Sequence, residues 1–377
     1  MSYSNVVHET QYIVNYSFFV LNLFIYTYIF RDKNPDKLKK SILVSLGIYI
    51  VSIYIAILTG TSSSTYIEGI GHRGWFESGN SLSSILILGL FILIPMISKT
   101  KKNLIFMLVV AIGIFLCLFI GTRTGLFGFV LVLGVYAADE IITAIIKKQK
   151  LNKFLLTVII ISIIIVSVTV AIIGSDTLVR RKHLKEIEGN IIDKGKEAHI
   201  SGSLLMIKEK IERNDINEKE LSLPAQQSIL DLYNYANENN VVNNDMRRQQ
   251  LLYNIFLVKH QANPILMLFG NGYMTNYREL VLEVELFALI TNFGLFGFAL
   301  YIGPLLGIFI YAILFFIKNR KKINTEYLML LGGIFLSFAL STLSGYTFFN
   351  SSSMMIVVVL ATLIVNKINC IKSIELD

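Results

Sequence analysis

Apolar residues fall into long unbroken runs near residues 11–30, 42–59, 80–98, 104–120, 124–138, 154–174, 286–317, 327–345 and 353–366. Most of these runs are long enough for a helix to cross ~30 Å of hydrocarbon, so the pattern predicts about nine spans. The expected fold class is all-α: a polytopic membrane protein with about nine transmembrane helices and one large helical extracytoplasmic segment. Three parts follow from the spacing. They are an N-terminal membrane part over 1–174 with about six spans, the segment 175–285, and a C-terminal membrane part over 286–377 with about three spans.

The segment 175–285 breaks the pattern, with 14 basic and 16 acidic residues and local helix signals. Pro224 suits the first turn of a helix over Gln226–Ala236. Asn244 or Asp245 suits a cap ahead of Leu251, Leu252, Ile255 and Phe256 at one-face spacing, and Pro264 predicts the end of that helix. A connection of this length in a compact membrane protein is expected to serve as a lid or binding element, with its apolar face lying on the membrane part.

Composition narrows the class further. A 54% hydrophobic content, 16% charge and a mean hydropathy of +0.62 exclude disordered and collagen-like chains, and two cysteines exclude a disulfide scaffold. Cys117 lies within a predicted span and Cys370 near the end of the last one, so no disulfide is expected between them. The net charge of +8 points at first to nucleic acid. However, 18 of the 34 basic residues sit in alternate connections, at 31–40, 99–102, 147–153 and 318–322 and in the tail, against seven acids. That alternation is the positive-inside pattern, and it predicts a C-terminus in the cytoplasm and an N-terminus outside. Nucleic acid is thereby excluded as a partner. No basic residue precedes the first run and a cationic stop follows it, so it reads as a retained span. The histidines His8, His72, His183, His199 and His260 all fall on the predicted outer side without metal-site spacing, so no metal and no cofactor is expected.

The candidate chemistry is cationic and acidic. Arg123 sits in Gly-Thr-Arg-Thr-Gly between two apolar runs, where a guanidinium is costly unless it meets an anion, carbonyls or water. Two readings fit: a snorkelling helix-end anchor, or a phosphate ligand, which Gly121 and Gly125 would let approach the following helix amides. Arg180 and Arg181, Arg247 and Arg248, and Arg278 gather where the long segment meets the membrane. Their guanidinium groups suit phosphate or pyrophosphate, and they suit lipid headgroups equally. Glu283 and Glu285 precede a span, where desolvation favours general-base work. On a continuous helix they would diverge by about 200°, which disfavours joint chelation and leaves Glu283 as the candidate base. The alternative is that both pair with nearby arginines. Trp75 and Phe76 fit an interfacial belt, while Asn80 at the head of a span suits either a helix cap or a sugar contact.

Four stretches, in this order, resemble the bacterial O-antigen and capsular polysaccharide polymerase family, which is related to the O-antigen ligases. They are Trp75-Phe76-Glu77-Ser78-Gly79-Asn80 before a span ending Ile94-Pro95; Gly121-Thr122-Arg123-Thr124-Gly125; Met246-Arg247-Arg248 leading to Leu268-Phe269-Gly270-Asn271-Gly272-Tyr273; and Leu282-Glu283-Val284-Glu285-Leu286-Phe287 followed by Phe293-Gly294-Leu295-Phe296-Gly297. The family pattern carries two aspartates in the last stretch, where this chain has Glu285 and Ala288. The His-Asn pair typical of the ligases is missing there, so the resemblance favours a polymerase.

The resemblance implies glycan transfer from a polyprenyl pyrophosphate-linked oligosaccharide to a sugar hydroxyl, on the outer face of the bacterial cytoplasmic membrane. In that scheme Arg123 and Arg247 or Arg248 stabilise the departing pyrophosphate, with Arg180 and Arg181 as further ligands. Glu283 orients or deprotonates the acceptor, and Arg278, Asn80 and Glu285 line the substrate. The implied partners are the lipid-linked oligosaccharide, membrane lipids, a flippase and a chain-length regulator. A transporter or flippase for the same lipid would instead show two related halves and charges at the midplane. A receptor or assembly scaffold would leave Arg123 without a task.

Overall fold

The computed structural model describes residues 3–66, 69–99, 113, 119–148, 157–164, 179, 182, 186, 203–218, 220–239, 246–261, 263–271, 280, 282–343 and 345–373. Their helices are α1 (Tyr3–Ile29), α2 (Asp36–Leu58), α3 (Gly79–Lys99), α4 (Arg123–Lys147), α5 (Ser203–Glu212), α6 (Leu223–Glu238), α7 (Met246–Gln261), α8 (Pro264–Phe269), α9 (Glu285–Asn319), α10 (Thr325–Leu343) and α11 (Ser351–Ser373). Among the described residues the only β pairing is an isolated bridge between Ser64 and His72. The protein is an all-α polytopic membrane protein. Six described helices, α2, α3, α4, α9, α10 and α11, are long and apolar enough to cross a membrane. The first expected span falls in α1, whose apolar stretch Tyr16–Ile29 is shorter than a crossing. The expected runs 104–120 and 154–174 lie mainly outside the described residues.

The chain forms two compact units, one of residues 15–180 with 303–377 and one of residues 1–14 with 181–302. In the first, α3 is the hub and packs against α2, α4, α10 and α11. Lipid tails are as apolar as leucine, so helices in a membrane associate by close van der Waals contact, which small residues permit. Glycine supplies that contact here. Gly89 of α3 receives the Leu46 side chain of α2, Gly128 of α4 receives Ile87 of α3, and Gly333 of α10 lies against Leu360 of α11 and Phe91 of α3. By contrast, α2 leaves Leu43, Val44, Ile48, Val51, Ile55 and Leu58 exposed, as a lipid-facing helix does.

One end of this bundle is held by charge. Glu326, buried at the start of α10, pairs with Lys39 of α2 and with Lys367 of α11 at 3.2 Å. Beside it the Asn366 amide donates to the carbonyls of Phe30 and Lys33 at 2.7 and 2.8 Å, tying the α1–α2 turn to α11. Three of these residues therefore have a structural role beyond setting topology.

In the second unit, α6 packs against α5 and α7 around Leu204, Ile207, Ile229, Leu232, Tyr233, Tyr253 and Leu257. Ser222 precedes α6 in extended conformation, and Pro224 lies in its first turn as expected. His260 Nε2 lies 2.6 Å from Asp231 Oδ2, joining α7 to α6. Hydrogen bonds from Gln227 and then His260 hold the Asp231 carboxyl below the usual range. One expectation holds only in part. Leu252 and Phe256 pack against this core as the spacing predicts, but Ile255 is exposed, and the fully buried stripe of α7 is Gln249, Gln250, Tyr253, Asn254 and Leu257. The Gln250 and Asn254 side chains turn inward and bond to backbone. Helix α7 ends at Gln261, ahead of Pro264 as expected, and Pro264 begins α8, with the Asn263 side chain accepting from the Ile265 amide at 2.9 Å.

Removing one partner from a buried ion cluster leaves the others uncompensated, at a cost of about 3 kcal/mol or more. Glu326→Ala is expected to lower the thermal midpoint of the detergent-purified protein by several degrees. Asp32→Ala, which breaks an exposed 3.8 Å pair with Arg31, is expected to leave it within experimental error. Fluorescence-monitored thermal unfolding of the two variants checks the contrast.

Candidate functional site

In the bundle unit, the Gly-Thr-Arg-Thr-Gly stretch is the turn that starts α4. Gly121 has φ of 78°, which an L side chain seldom adopts. Thr122 is the N-cap: its Oγ1 accepts from the Gly125 amide at 2.9 Å and shares a buried 2.6 Å hydrogen bond with Ser83 of α3. Gly125 is needed because Thr122 Oγ1 and Ser83 Oγ press against it. Arg123 is therefore the first residue of a 25-residue helix, where the aligned peptide dipoles favour anions. Its side chain lies outside the described residues.

The 59–79 loop closes over this turn. Thr65 Oγ1 donates to the Ile120 carbonyl at 2.7 Å, and the His72 amide donates to Phe119 O at 2.8 Å. Gly71, with φ of 76°, lets the two backbones meet. Trp75 Nε1 donates to Thr61 Oγ1 at 2.9 Å, and Phe76 stacks on Tyr49 with centroids 4.9 Å apart. Asn80 is not the cap of α3. The helix begins at Gly79, and Ser78 takes that position, its Oγ accepting from the Ser81 amide at 3.3 Å. Asn80 lies half-buried in the first turn.

In the other unit the residues chosen from the sequence come into direct contact. Arg247, at the start of α7, donates from Nε to Glu283 Oε2 at 3.0 Å, with the two side chains 31% and 26% exposed. One turn further along α7, the buried Gln250 accepts the Glu283 amide on its Oε1 at 3.0 Å. Asn254 donates in turn to the Gln250 carbonyl at 2.8 Å. The first turns of α7 thus grip Glu283 by both backbone and carboxylate. Residues 282–284 are not helical and α9 starts at Glu285, so the helical premise behind the 200° divergence does not hold. Glu285 is fully buried while Glu283 stays accessible. Arg248 is exposed beside the pair. Arg180, Arg181 and Arg278 lie outside the described residues.

Sequence reasoning missed Gln250. Its spacing from Tyr253, Asn254 and Leu257 places it on the buried stripe, and buried amides on such a stripe must find partners.

The two Gly-rich stretches downstream also meet. Gly294 interrupts α9 with φ of 68° and ψ of −176°, and its backbone crosses that of Leu268 and Gly270, which has φ of 80°. The break takes from the Thr291 carbonyl its helical partner, and the Asn271 amide replaces it at 2.9 Å. Phe269 and Phe296 close the crossing, with ring centroids 6.0 Å apart.

A family model described as O-antigen ligase like membrane protein matches residues 1–369. The chain belongs to this family. No curated protein and no solved structure matches it. Membership makes the protein a membrane enzyme of the glycosyl-transfer class that works on lipid-linked glycans. The family match embraces the Arg123 turn, the Arg247–Glu283 pair and the glycine crossing.

A methyl group at either crossing glycine would collide with backbone, and positive φ adds strain. Gly294→Ala is expected to lower the thermal midpoint markedly. Gly307→Ala, in α9 with nothing within 4 Å, is expected to raise it or leave it unchanged, since alanine favours a helix interior over glycine by about 1 kcal/mol. Thermal unfolding of both variants decides the sign.

Proposed function

We propose that this member of the O-antigen ligase-like family is a polysaccharide polymerase. It transfers a glycan from a polyprenyl pyrophosphate donor to a sugar hydroxyl of a lipid-linked acceptor, on the outer face of the bacterial cytoplasmic membrane. The observation that carries the reading is the Arg247–Glu283 pair, within a chain matched to the family over residues 1–369.

In this reaction the acceptor oxygen attacks the anomeric carbon, the bond from that carbon to the pyrophosphate oxygen breaks, and the acceptor proton passes to a base. Glu283 is that base. Its amide is fixed by Gln250 and its Oε2 by Arg247, which leaves the carboxylate oriented yet accessible. The departing pyrophosphate gains negative charge, so preorganised cations act on the transition state more than on the ground state. Arg123 and the exposed Arg248 supply that charge. For Arg123 the position at the start of α4 supports the role, because the helix N-terminus adds its own positive end. Arg180, Arg181 and Arg278 are further cationic ligands, and Asn80 lines the glycan. A flippase that delivers the donor and a regulator of chain length are the partners such an enzyme needs.

A ligase is the second reading, favoured by the description of the matched family. Deleting the gene separates the two. Accumulation of single lipid-linked repeats on the outer face supports the polymerase, accumulation of long lipid-linked polymer indicates a ligase, and accumulation on the inner face indicates a flippase.

Arg123→Ala and Arg123→Lys are each expected to abolish chain growth while the protein remains in the membrane, because lysine does not reproduce bidentate phosphate contacts. Gel analysis of the polymer checks this, and polymer of normal length from Arg123→Ala refutes the clamp. Glu283→Gln is expected to cut transfer by at least 100-fold, and Glu285→Gln by less. Assay of purified variants on lipid-linked oligosaccharide reads the ranking, and the reverse order assigns the base to Glu285.

A further inference from the structure

Helix α8, Pro264–Phe269, has the sequence Pro-Ile-Leu-Met-Leu-Phe and no buried residue. Ile265 is 63% exposed, Met267 59%, Leu268 50% and Phe269 62%. A helix apolar on every side and left open to water would be a large unfavourable patch for a soluble surface. The flanking residues keep α8 in place. The Asn271 amide bonds to the Thr291 carbonyl, the Leu268–Gly270 backbone lies against Gly294, and Phe269 meets the Phe296 ring. On α9 the side chains next to this crossing, Leu295, Phe296 and Leu300, are also more than half exposed. The apolar surface of α8 is therefore continuous with that of a membrane-crossing helix.

Depth follows from length. At 1.5 Å per residue, all of α9 would be roughly 52 Å long, well beyond the ~30 Å of hydrocarbon. The part after Gly294 is roughly 37 Å, enough for one crossing that ends beside Lys318. The break at Gly294 accordingly falls at the hydrocarbon edge on the opposite side, and α8 crosses α9 at that level. We propose that α8 is a monotopic anchor, with Ile265, Met267, Leu268 and Phe269 inserted among lipid acyl chains at that edge. Its partner is the bilayer itself. Insertion to a depth of about 5–10 Å is typical of such elements. The role does not depend on which carboxylate acts as base.

The experiment uses the full chain in phosphatidylcholine–phosphatidylglycerol nanodiscs, with Cys117 and Cys370 replaced by serine. A nitroxide is placed at Ile265→Cys or Met267→Cys, with Leu300→Cys as the lipid reference and Glu238→Cys as the aqueous reference. Labels on α8 are expected to match position 300, reached by oxygen several-fold more than by a water-soluble nickel chelate. A response matching position 238 overturns the proposal, and so does shielding from both reagents, which would mean that protein covers the helix. Phe269→Trp in a Trp75→Phe background gives a second reading without labelling. Dibrominated phosphatidylcholine is expected to quench its fluorescence by more than half, and an unquenched signal again overturns the anchor.

Discussion

Inside hydrocarbon no water is present to satisfy a broken backbone, so a spanning helix can be interrupted only where another segment supplies the missing hydrogen bond. The crossing of Gly294 with residues 268–271 meets that requirement. The interrupted α9 leaves the Thr291 carbonyl without its partner, and the Asn271 amide provides one. Both backbones come this close because glycine occupies each crossing point. The chain from Pro264 to Asn271 is thus fastened to the head of α9, and the short non-helical stretch that carries Glu283 leads directly into that helix.

The site in residues 181–302 depends on this fastening and on the buried polar stripe of α7. Gln250 and Asn254 would be expensive inside the unit if unbonded, and their bonds to backbone remove that cost. The same bonds leave the Glu283 carboxylate to be steered by Arg247. In the bundle unit an equivalent economy holds the Arg123 turn. One hydroxyl, that of Thr122, caps α4 and bonds to Ser83 of α3, so the start of the helix is locked to the hub of the bundle. Each unit thereby presents a family motif on a framework whose buried hydrogen bonds are internal.

Much of the class was legible without coordinates. Run length and sparse charge require a membrane protein, because unpaired charge and unbonded backbone are excluded from hydrocarbon. The helix over 223–238 was also legible, because Pro224 at a helix start carries a fixed backbone angle. On α7 the apolar spacing was only partly informative: Leu252 and Phe256 reach the core, Ile255 does not, and Gln250 and Asn254 are buried instead. The energy of burying an amide depends on the partner it finds, and the Gln250 side chain finds the Glu283 amide 33 residues away in sequence. Asn80 and Ser78 show the same limit at shorter range. Both are capping residues by type, and the start of α3 at Gly79 left the cap to Ser78.

The sequence by itself determined that the chain is a helical membrane protein, which residues carry charge near helix ends, and which glycines stand at special positions, because these follow from hydrophobicity and backbone sterics alone. The tertiary structure decided that Arg247 meets Glu283, that Gln250 holds the Glu283 backbone, and that Gly270 meets Gly294. Those pairings join segments 20 to 40 residues apart, and a hydrogen bond or a steric contact acts only over a few ångströms of space, which no pattern along one chain specifies.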